Sequence, residues 1–313
     1  MPNTTKSPEQ SKVRGERTLR RDITGVLLLD KPFGLSSNTA LQRARYLLAA
    51  RKAGHTGTLD PHATGLLTLC LGEATKFSGW LLDAPKSYQA LIRLGYSSST
   101  GDGEGEITPV RPFTGTLATI KSVLQGFHGH QTQQPPMHSA LKVGGRPLYD
   151  YARAGLEVTR AAREIEVLEQ KVESWDGETL TISVKVSKGT YIRVLAADIG
   201  TALGCGGYLS GLRRTETGPF ALQDAMTLDQ LEALSMDERE KCLLPADALL
   251  FGVPRLDLDD AQSLAIRQGR ALPWDAVDMP GQRYRVYAPA ARFLGICEIT
   301  PDHRLHPTRL MTE

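Results

Sequence analysis

Apolar positions crowd together at 26–29 as VLLL and then break into a Pro/Gly turn, which predicts a short buried strand. SSNTALQRARYLLAA follows with a serine cap and the apolar spacing of a helix. After a GHTG loop, LLTLCLG at 66–72 predicts a second strand, GEATKFSGWLLD a helix and YQALIRLG a strand with alternating faces. SSSTGDGEGEI at 97–107 is a Gly- and acid-rich loop, and TGTLATIKSVLQGF returns to helical spacing. HGHQTQQPPMHSALKVGGRPLYDYARAG, broken by prolines and a GG turn, predicts a long insertion carrying one helix. EIEVLEQKVESW and ETLTISVKVSKGTYIRV read as two strands across a WDG turn, so the sheet there is expected to be antiparallel. YIRVLAADIGTALG predicts a helix ending at Gly204, and GCGGYLSGLRRTETGPFAL a returning strand. Past Pro245, PRLDLDD, AIRQGRALPW, QRYRVYAP and RFLGICEIT are short strand-like pieces, which suggests a small β-barrel from about Phe251 onward.

Strands and helices alternate without a regular βαβ repeat, and 313 residues suffice for two domains and a large core. Hydrophobic residues at 41% and charged residues at 23% place the chain among ordinary globular proteins. No apolar run approaches the ~18 residues of a membrane span. The first 22 residues are polar with no signal-peptide middle, so a disordered tail and a cytoplasmic protein are expected. Cys70, Cys205, Cys242 and Cys297 form no CxxC pair, which suggests reduced thiols rather than a disulfide framework or zinc knuckle. The net charge of +2 identifies no partner, but between His138 and Arg163 five basic residues oppose two acids, a bias that could meet phosphate.

The densest polar feature is GHTGTLDPHATG at 54–65, with Asp60 its single carboxylate. Pro61 pushes the Asp60 backbone away from the α region and so fixes the acid's direction, although an ordinary Asp-Pro turn would look the same. His55 and His62 lack a metal-ligand spacing, and a lone histidine in such a loop is usually structural. In SKGTYIR, Tyr191 and Arg193 stand two apart and would share a side of an extended segment; an arginine beside a reacting carboxylate would keep it ionised. Tyr88 opens a strand, where an aromatic either packs in a sheet or offers a face to a nucleobase. No Walker loop, dinucleotide fingerprint or nucleophile elbow is present.

Taken together these stretches resemble the TruB family of tRNA pseudouridine-55 synthases, from Gly25 to the C-terminus. GVLLLDKPFGLSSN is similar to the family's first motif, AGHTGTLDPHATGLLTLCLGEATKF to its catalytic motif, and KSYQALIRLG, PPMHSALKVGGRPLYDYAR, SKGTYIRVLAADIG and LRRTETGPF to later ones. The resemblance implies an α+β fold: a catalytic domain at 23–250 with a mixed, largely antiparallel sheet, an RNA-binding insertion at about 128–160, and a PUA-like barrel at 251–313. It makes Asp60 the nucleophile. Tyr88 would stack on the target uracil, Tyr191 line the pocket and Arg193 pair with Asp60. His55 would occupy the space left by the flipped nucleotide, Leu212 contact the base, and Lys31 and Pro32 support the pocket floor. The expected substrate is uridine 55 in the T arm of tRNA, converted by a monomer without metal or cofactor, with a role in tRNA folding as a companion activity.

Two departures stand out. His138 replaces the usual tyrosine of PPMHSALK, and the acidic loop keeps Thr100, Asp102 and Gly105 in a looser pattern than the family's. From Gly252 to Glu313 eight arginines balance eight acids, so that domain is expected to add little phosphate affinity. The competing readings are an RNA-folding helper without chemistry and a metal hydrolase built on His55, His62 and Asp60.

Overall fold

The computed structural model describes residues 20–139, 141–274 and 279–312. In chain order the N-terminal part contains β1 (Gly25–Lys31), α1 (Ser37–Leu47), β2 (Ala53–His55), β3 (Ala63–Leu71), α2 (Ser78–Leu82), β4 (Lys86–Leu94), β5 (Tyr96–Ser98), β6 (Ile107–Pro109), α3 (Leu117–Gln125) and β7 (Gly129–Gln133). There follow β8 (Lys142–Val143), β9 (Arg146–Pro147), α4 (Leu148–Arg153), β10 (Arg163–Trp175), β11 (Thr179–Val186), α5 (Ile192–Ala202), β12 (Gly207–Thr217), β13 (Phe220–Ala221), α6 (Leu228–Ala233) and α7 (Met236–Lys241). The C-terminal part holds β14 (Arg255–Asp257), α8 (Asp260–Arg267), β15 (Leu272–Pro273), β16 (Arg283–Ala288), β17 (Arg292–Ile299) and β18 (Arg304–Leu310).

A nine-stranded sheet runs β1-β3-β12-β4-β11-β10-β7, with β2 on β3 and β13 on β12. Among its pairings only β3 with β12 is parallel; the others are antiparallel. β1 and β3 are covered on both faces, which is why they read as continuous apolar runs, whereas β11 alternates buried and half-buried positions. One core, including Ile92, Ile182, Leu195 and Ile199, lies between the centre of the sheet, α3 and α5. Another joins α1 and α6 to β1 and β3 and includes Leu59 of the GHTG loop. Tyr88 and Leu212 pack against both cores, so the centre of the sheet is also where the two cores meet.

Most predicted elements form, with four differences. GEATKFSGWLLD is a 3-10 turn at Gly72–Phe77 followed by α2, because Gly72 enters with φ +53 and the Glu73 N–H is taken by Thr24 rather than starting an α-turn. AIRQGRALPW is not strand: Asp259 and Gln262 make a capping box, and α8 runs over AIR, burying Ile266 while Leu264 faces out. The C-terminal sheet is ordered β14-β16-β17-β18-β15, and among the described residues β14 and β15 are its open edges, so the small barrel takes the form of a half-barrel with α8 packed on it. Tyr191 caps α5 and Arg193 already lies inside it, so the pair does not share an extended segment. Residues 134–162, most of the expected insertion, leave the sheet between β7 and β10. Of the expected tail, residues 1–19 lie outside the described residues, while the Arg21 N–H donates to Ala49 O at 2.7 Å and Asp22 pairs with Arg51 at 3.0 Å.

The C-terminal half-barrel is docked by a shared apolar cluster. Val26, Leu28, Cys70, Phe77 and Leu81 of the N-terminal part pack with Ile296, Phe293 and Met311. Cys70, Cys205 and Cys297 are buried free thiols and Cys242 is half-buried. Among the described residues no helix is long and apolar enough to cross a membrane.

Candidate active site

The loop 56–62 connects β2 to β3, and each backbone neighbour of Asp60 is pinned. Ser37, at the start of α1 and 1% exposed, uses its single hydroxyl twice: Oγ accepts from Leu59 N–H at 2.7 Å and donates to Leu59 O at 2.8 Å. On the other side Pro61 O accepts from Gly34 N–H at 2.8 Å and from Lys31 Nζ at 3.4 Å. Asp60 O accepts from Ala63 N–H at 3.0 Å and closes the turn. Gly65, with φ +100, lies so close to Arg214 that a Cβ would collide with that residue's backbone, which explains the second glycine boundary of the loop.

Asp60 thus projects from a rigid support with its side chain 48% exposed, and Arg193 Nη2 donates to its Oδ2. Arg193 comes from the first turn of α5 on the buried face of that helix, and its side chain is only 8% exposed. Its Nη1 also meets Asp102 Oδ2 at 3.0 Å. Asp102 is held in turn, since its Oδ1 accepts from Thr100 Oγ1 at 2.6 Å and from Glu104 N–H at 3.1 Å. A buried guanidinium is costly without partners, and here two carboxylates supply them.

A cavity of about 300 Å³ opens beside this group, lined by Asp60, Tyr88, Tyr191, Arg193, Leu212 and Arg214 among others. Tyr88 stands on β4 opposite Val184 and Arg214, at the middle of the sheet. Tyr191 is fixed through its backbone: its N–H donates to Gln133 Oε1 at 2.7 Å, and its carbonyl accepts from Gln133 Nε2 at 3.1 Å. Gln133 is 4% exposed and ends the strand that leads into the 134–162 excursion, so the excursion's root and the cavity wall move as one. An open groove of about 880 Å³ adjoins, sharing Leu82, Ser187 and Gly189 with the cavity and edged by Arg160, Arg163 and Lys188.

Of the residues singled out in the sequence, Asp60, Tyr88, Tyr191, Arg193 and Leu212 line this one cavity, whereas His55, Lys31 and Pro32 do not: Lys31 is buried, His55 half-buried and Pro32 exposed. Lys31 is fully buried and donates to the carbonyls of Leu35 at 2.6 Å, Pro32 at 2.9 Å and Pro61 at 3.4 Å. Burial lowers it to about 8, with the Asp60 charge pulling upward and Arg214 adding to the fall. His55, on β2, leaves a buried Nδ1 without a hydrogen-bond partner; burial, then the Arg214 charge, depresses its pKa and favours neutral imidazole. His138 is exposed. Among the described residues no group of three or more His, Cys, Asp or Glu is placed to hold a metal ion, so His55, His62 and Asp60 do not form a ligand set.

Sequence reasoning gave no site role to Asp102, Gln133 or Arg214. Arg214 is 2% exposed and spans the loop base, donating to Leu66 O at 2.7 Å and Gly57 O at 3.3 Å. Thr-x-Asp in the Gly-rich loop and a glutamine two residues ahead of the proline pair were the available signals, and both are too short to carry weight alone.

Comparison with known proteins gives this geometry a relationship. Residues 45–192 match the model of the TruB family pseudouridylate synthase N-terminal domain, 193–251 that of the tRNA pseudouridylate synthase B C-terminal domain, and 254–311 that of pseudouridine synthase II TruB, C-terminal. The tRNA pseudouridine synthase B of Chromobacterium violaceum is 50% identical over 94% of this chain and 97% of its own length. That of Aromatoleum aromaticum is 51% identical over 95% of both. Among solved structures, a Cbf5-Nop10-Gar1 complex contains a chain with TM-score 0.68 and 26% identity, covering 92% of this chain and 84% of that one. An H/ACA RNP bound to a substrate RNA containing 2'-deoxyuridine contains another, with TM-score 0.69 and 24% identity over 92% and 85%. The mixed sheet with its flanking helices is therefore the pseudouridine synthase fold, and the half-barrel is PUA-like. The chain belongs to the TruB family of pseudouridylate synthases.

Proposed function

We propose that this protein isomerises uridine to pseudouridine at position 55 in the T loop of tRNA, with Asp60 as nucleophile and the target base flipped into the cavity. The observation that carries the reading is a single carboxylate on a pinned loop, paired with a buried arginine, in one cavity with two tyrosines. The relatives named for tRNA pseudouridine synthesis at 50% and 51% identity support the substrate class.

The chemistry follows from the chain's own groups. A base leaving its stack costs a few kcal/mol, and stacking on Tyr88, worth ~1–3 kcal/mol, returns much of that. Arg193 holds the Asp60 carboxylate in a direct ion pair and aims it, and Leu212 closes the apolar side of the base. Asp60 adds to ribose C1′ as the N1–C1′ bond breaks, its electron pair leaving with the uracil. The uracil turns, C5 bonds to C1′ and releases the carboxylate, and the C5 proton is lost while N1 gains one. The composition of the nucleotide is unchanged, so neither oxidant nor external energy is needed. With Asp60 48% exposed, exclusion of water from the sugar during the turn falls to the bound RNA that covers the cavity. His55 holds the space of the extruded nucleotide as a neutral ring, and the groove edged by Arg160, Arg163 and Lys188 receives the RNA backbone. The protein acts as a monomer in the cytoplasm, where its substrate is found.

The deciding experiment maps pseudouridine by carbodiimide labelling and primer extension on unmodified tRNA transcript. Wild type is expected to give a stop at the T-loop uridine, and Asp60→Asn none, with the stop unaffected by chelator. Product from the Asp60→Asn protein would refute the assignment.

A further inference from the structure

Phe33 and His62 stack beside the Asp60 loop with ring centroids 4.8 Å apart and planes 17° from parallel. Phe33 is 64% exposed and the His62 side chain 45% exposed. Neither ring lines the cavity, and the chemistry above uses neither.

The pair is held by the groups that hold Asp60. Phe33 lies in a turn whose Pro32 and Leu35 carbonyls accept from Lys31 Nζ at 2.9 and 2.6 Å, and the Gly34 N–H of that turn donates to Pro61 O at 2.8 Å. Pro61 separates Asp60 from His62, so one hydrogen bond ties the Phe33 turn to both. On the far side His62 Nδ1 stands 3.7 Å from Glu104 Oε1, and Glu104 N–H donates to Asp102 at 3.1 Å, the acid that shares Arg193 with Asp60. Apolar surface left in water is unfavourable, and a turn fixed this firmly cannot relieve it by moving the ring inward.

We infer that this pair is a stacking platform for a second, unpaired nucleobase of the RNA, next to the uridine held at Asp60; the inference rests on the proposed function. Every base has a flat face that stacks on an aromatic ring without demanding a particular sequence. Extruding the target leaves its neighbour in the loop with an open face, and single-stranded RNA is commonly read by such splayed bases. Local charge favours a base over a phosphate: the acid beside the ring pair is Glu104, 3.7 Å from His62, and the adjoining Asp60 and Asp102 already take the Arg193 charge, so among the described residues the platform offers an anion no free cation while a neutral heterocycle needs none.

The test measures dissociation constants and pseudouridine formation for wild type, Phe33→Ala and Phe33→Trp. The RNAs are an intact tRNA transcript and transcripts with one abasic site on either side of the target. Phe33→Ala is expected to weaken binding of the intact transcript about tenfold, with Phe33→Trp restoring it. One abasic transcript is expected to bind wild type as weakly as Phe33→Ala binds intact RNA, with no further loss when the two changes are combined. Full affinity in Phe33→Ala, or losses that add for every abasic position, overturns the platform. The proposed function is judged separately: a wild type that binds the transcript but forms no pseudouridine overturns that function, while the affinity cycle still decides the platform.

Discussion

Arg193 carries one charge and serves two carboxylates, and their different surroundings assign them different tasks. Asp102 has accepted bonds from Thr100 and Glu104 and is nearly buried, so it has little freedom to move. Asp60 is half exposed and has Arg193 as its side-chain partner. Asp102 therefore sets the direction of the guanidinium, and the guanidinium aims Asp60. Asp102→Asn keeps the shape but removes a charge-assisted bond worth about 1.5–3 kcal/mol. It is expected to slow single-turnover pseudouridine formation about ten- to a hundredfold with RNA affinity unchanged; an equal rate would show that Arg193 is aimed by other contacts. The sequence displayed Asp102 only as one acid in a loose glycine-rich loop, because a partnership reaching from that loop to α5 leaves no local pattern.

At the scale of elements, the 3-10 turn after β3 joins that central strand to β18 and Thr312. Lys76 Nζ donates to Leu310 O at 3.0 Å and Thr312 Oγ1 at 2.6 Å, and Glu73 Oε2 accepts from Thr312 N–H at 2.6 Å. Partial burial raises the Glu73 pKa, but the bonds from Lys76 and Thr312 and the Lys76 charge outweigh it and bring the group to about 2. The folded value lies below the ordinary 4.5, so the stabilisation is complete above pH 4.5 and is lost as pH falls toward 2. Hydrogen exchange is expected to show protection of β18 and Thr312 declining through that window in wild type. In Glu73→Gln the same amides should exchange faster already at neutral pH, and retained protection there would contradict the anchoring role. GEATKF was legible as an element, but its bond to Thr312 was not, since Glu73 and Thr312 are 239 positions apart.

For the whole molecule, the decisive feature is a core with two owners. Phe77 is fully buried and meets Phe293 of the half-barrel at 5.4 Å between ring centroids. Truncating a buried Phe to Ala costs about 3–5 kcal/mol. Phe77→Ala is expected to lower the thermal midpoint by roughly 5–15 °C, and to do so within one calorimetric transition because both parts lose the same contacts. Two separated transitions would mean that the half-barrel folds independently. The balanced charge of this region, read from the sequence as weak phosphate affinity, is consistent with a part whose packing is its clearest structural contribution.

The sequence by itself determined the kinds of element and the chemistry of the loop. VLLL and LLTLCL, bounded by turn residues, predicted the buried strands that form, and an acid before proline in a glycine-bounded loop has its backbone direction restricted by sterics alone. The motif set went further and indicated the family, because several long motifs in order rarely coincide by chance. Tertiary structure alone decided which distant groups complete the site. Asp102, Gln133 and Arg214 act through hydrogen bonds and ion pairs whose partners are far apart along the chain, and such pairs follow from the sheet order and helix docking rather than from any periodicity. It likewise decided that AIR belongs to a helix and that the C-terminal sheet, among the described residues, stays open, since short apolar runs of similar length suit either conformation until a core selects one.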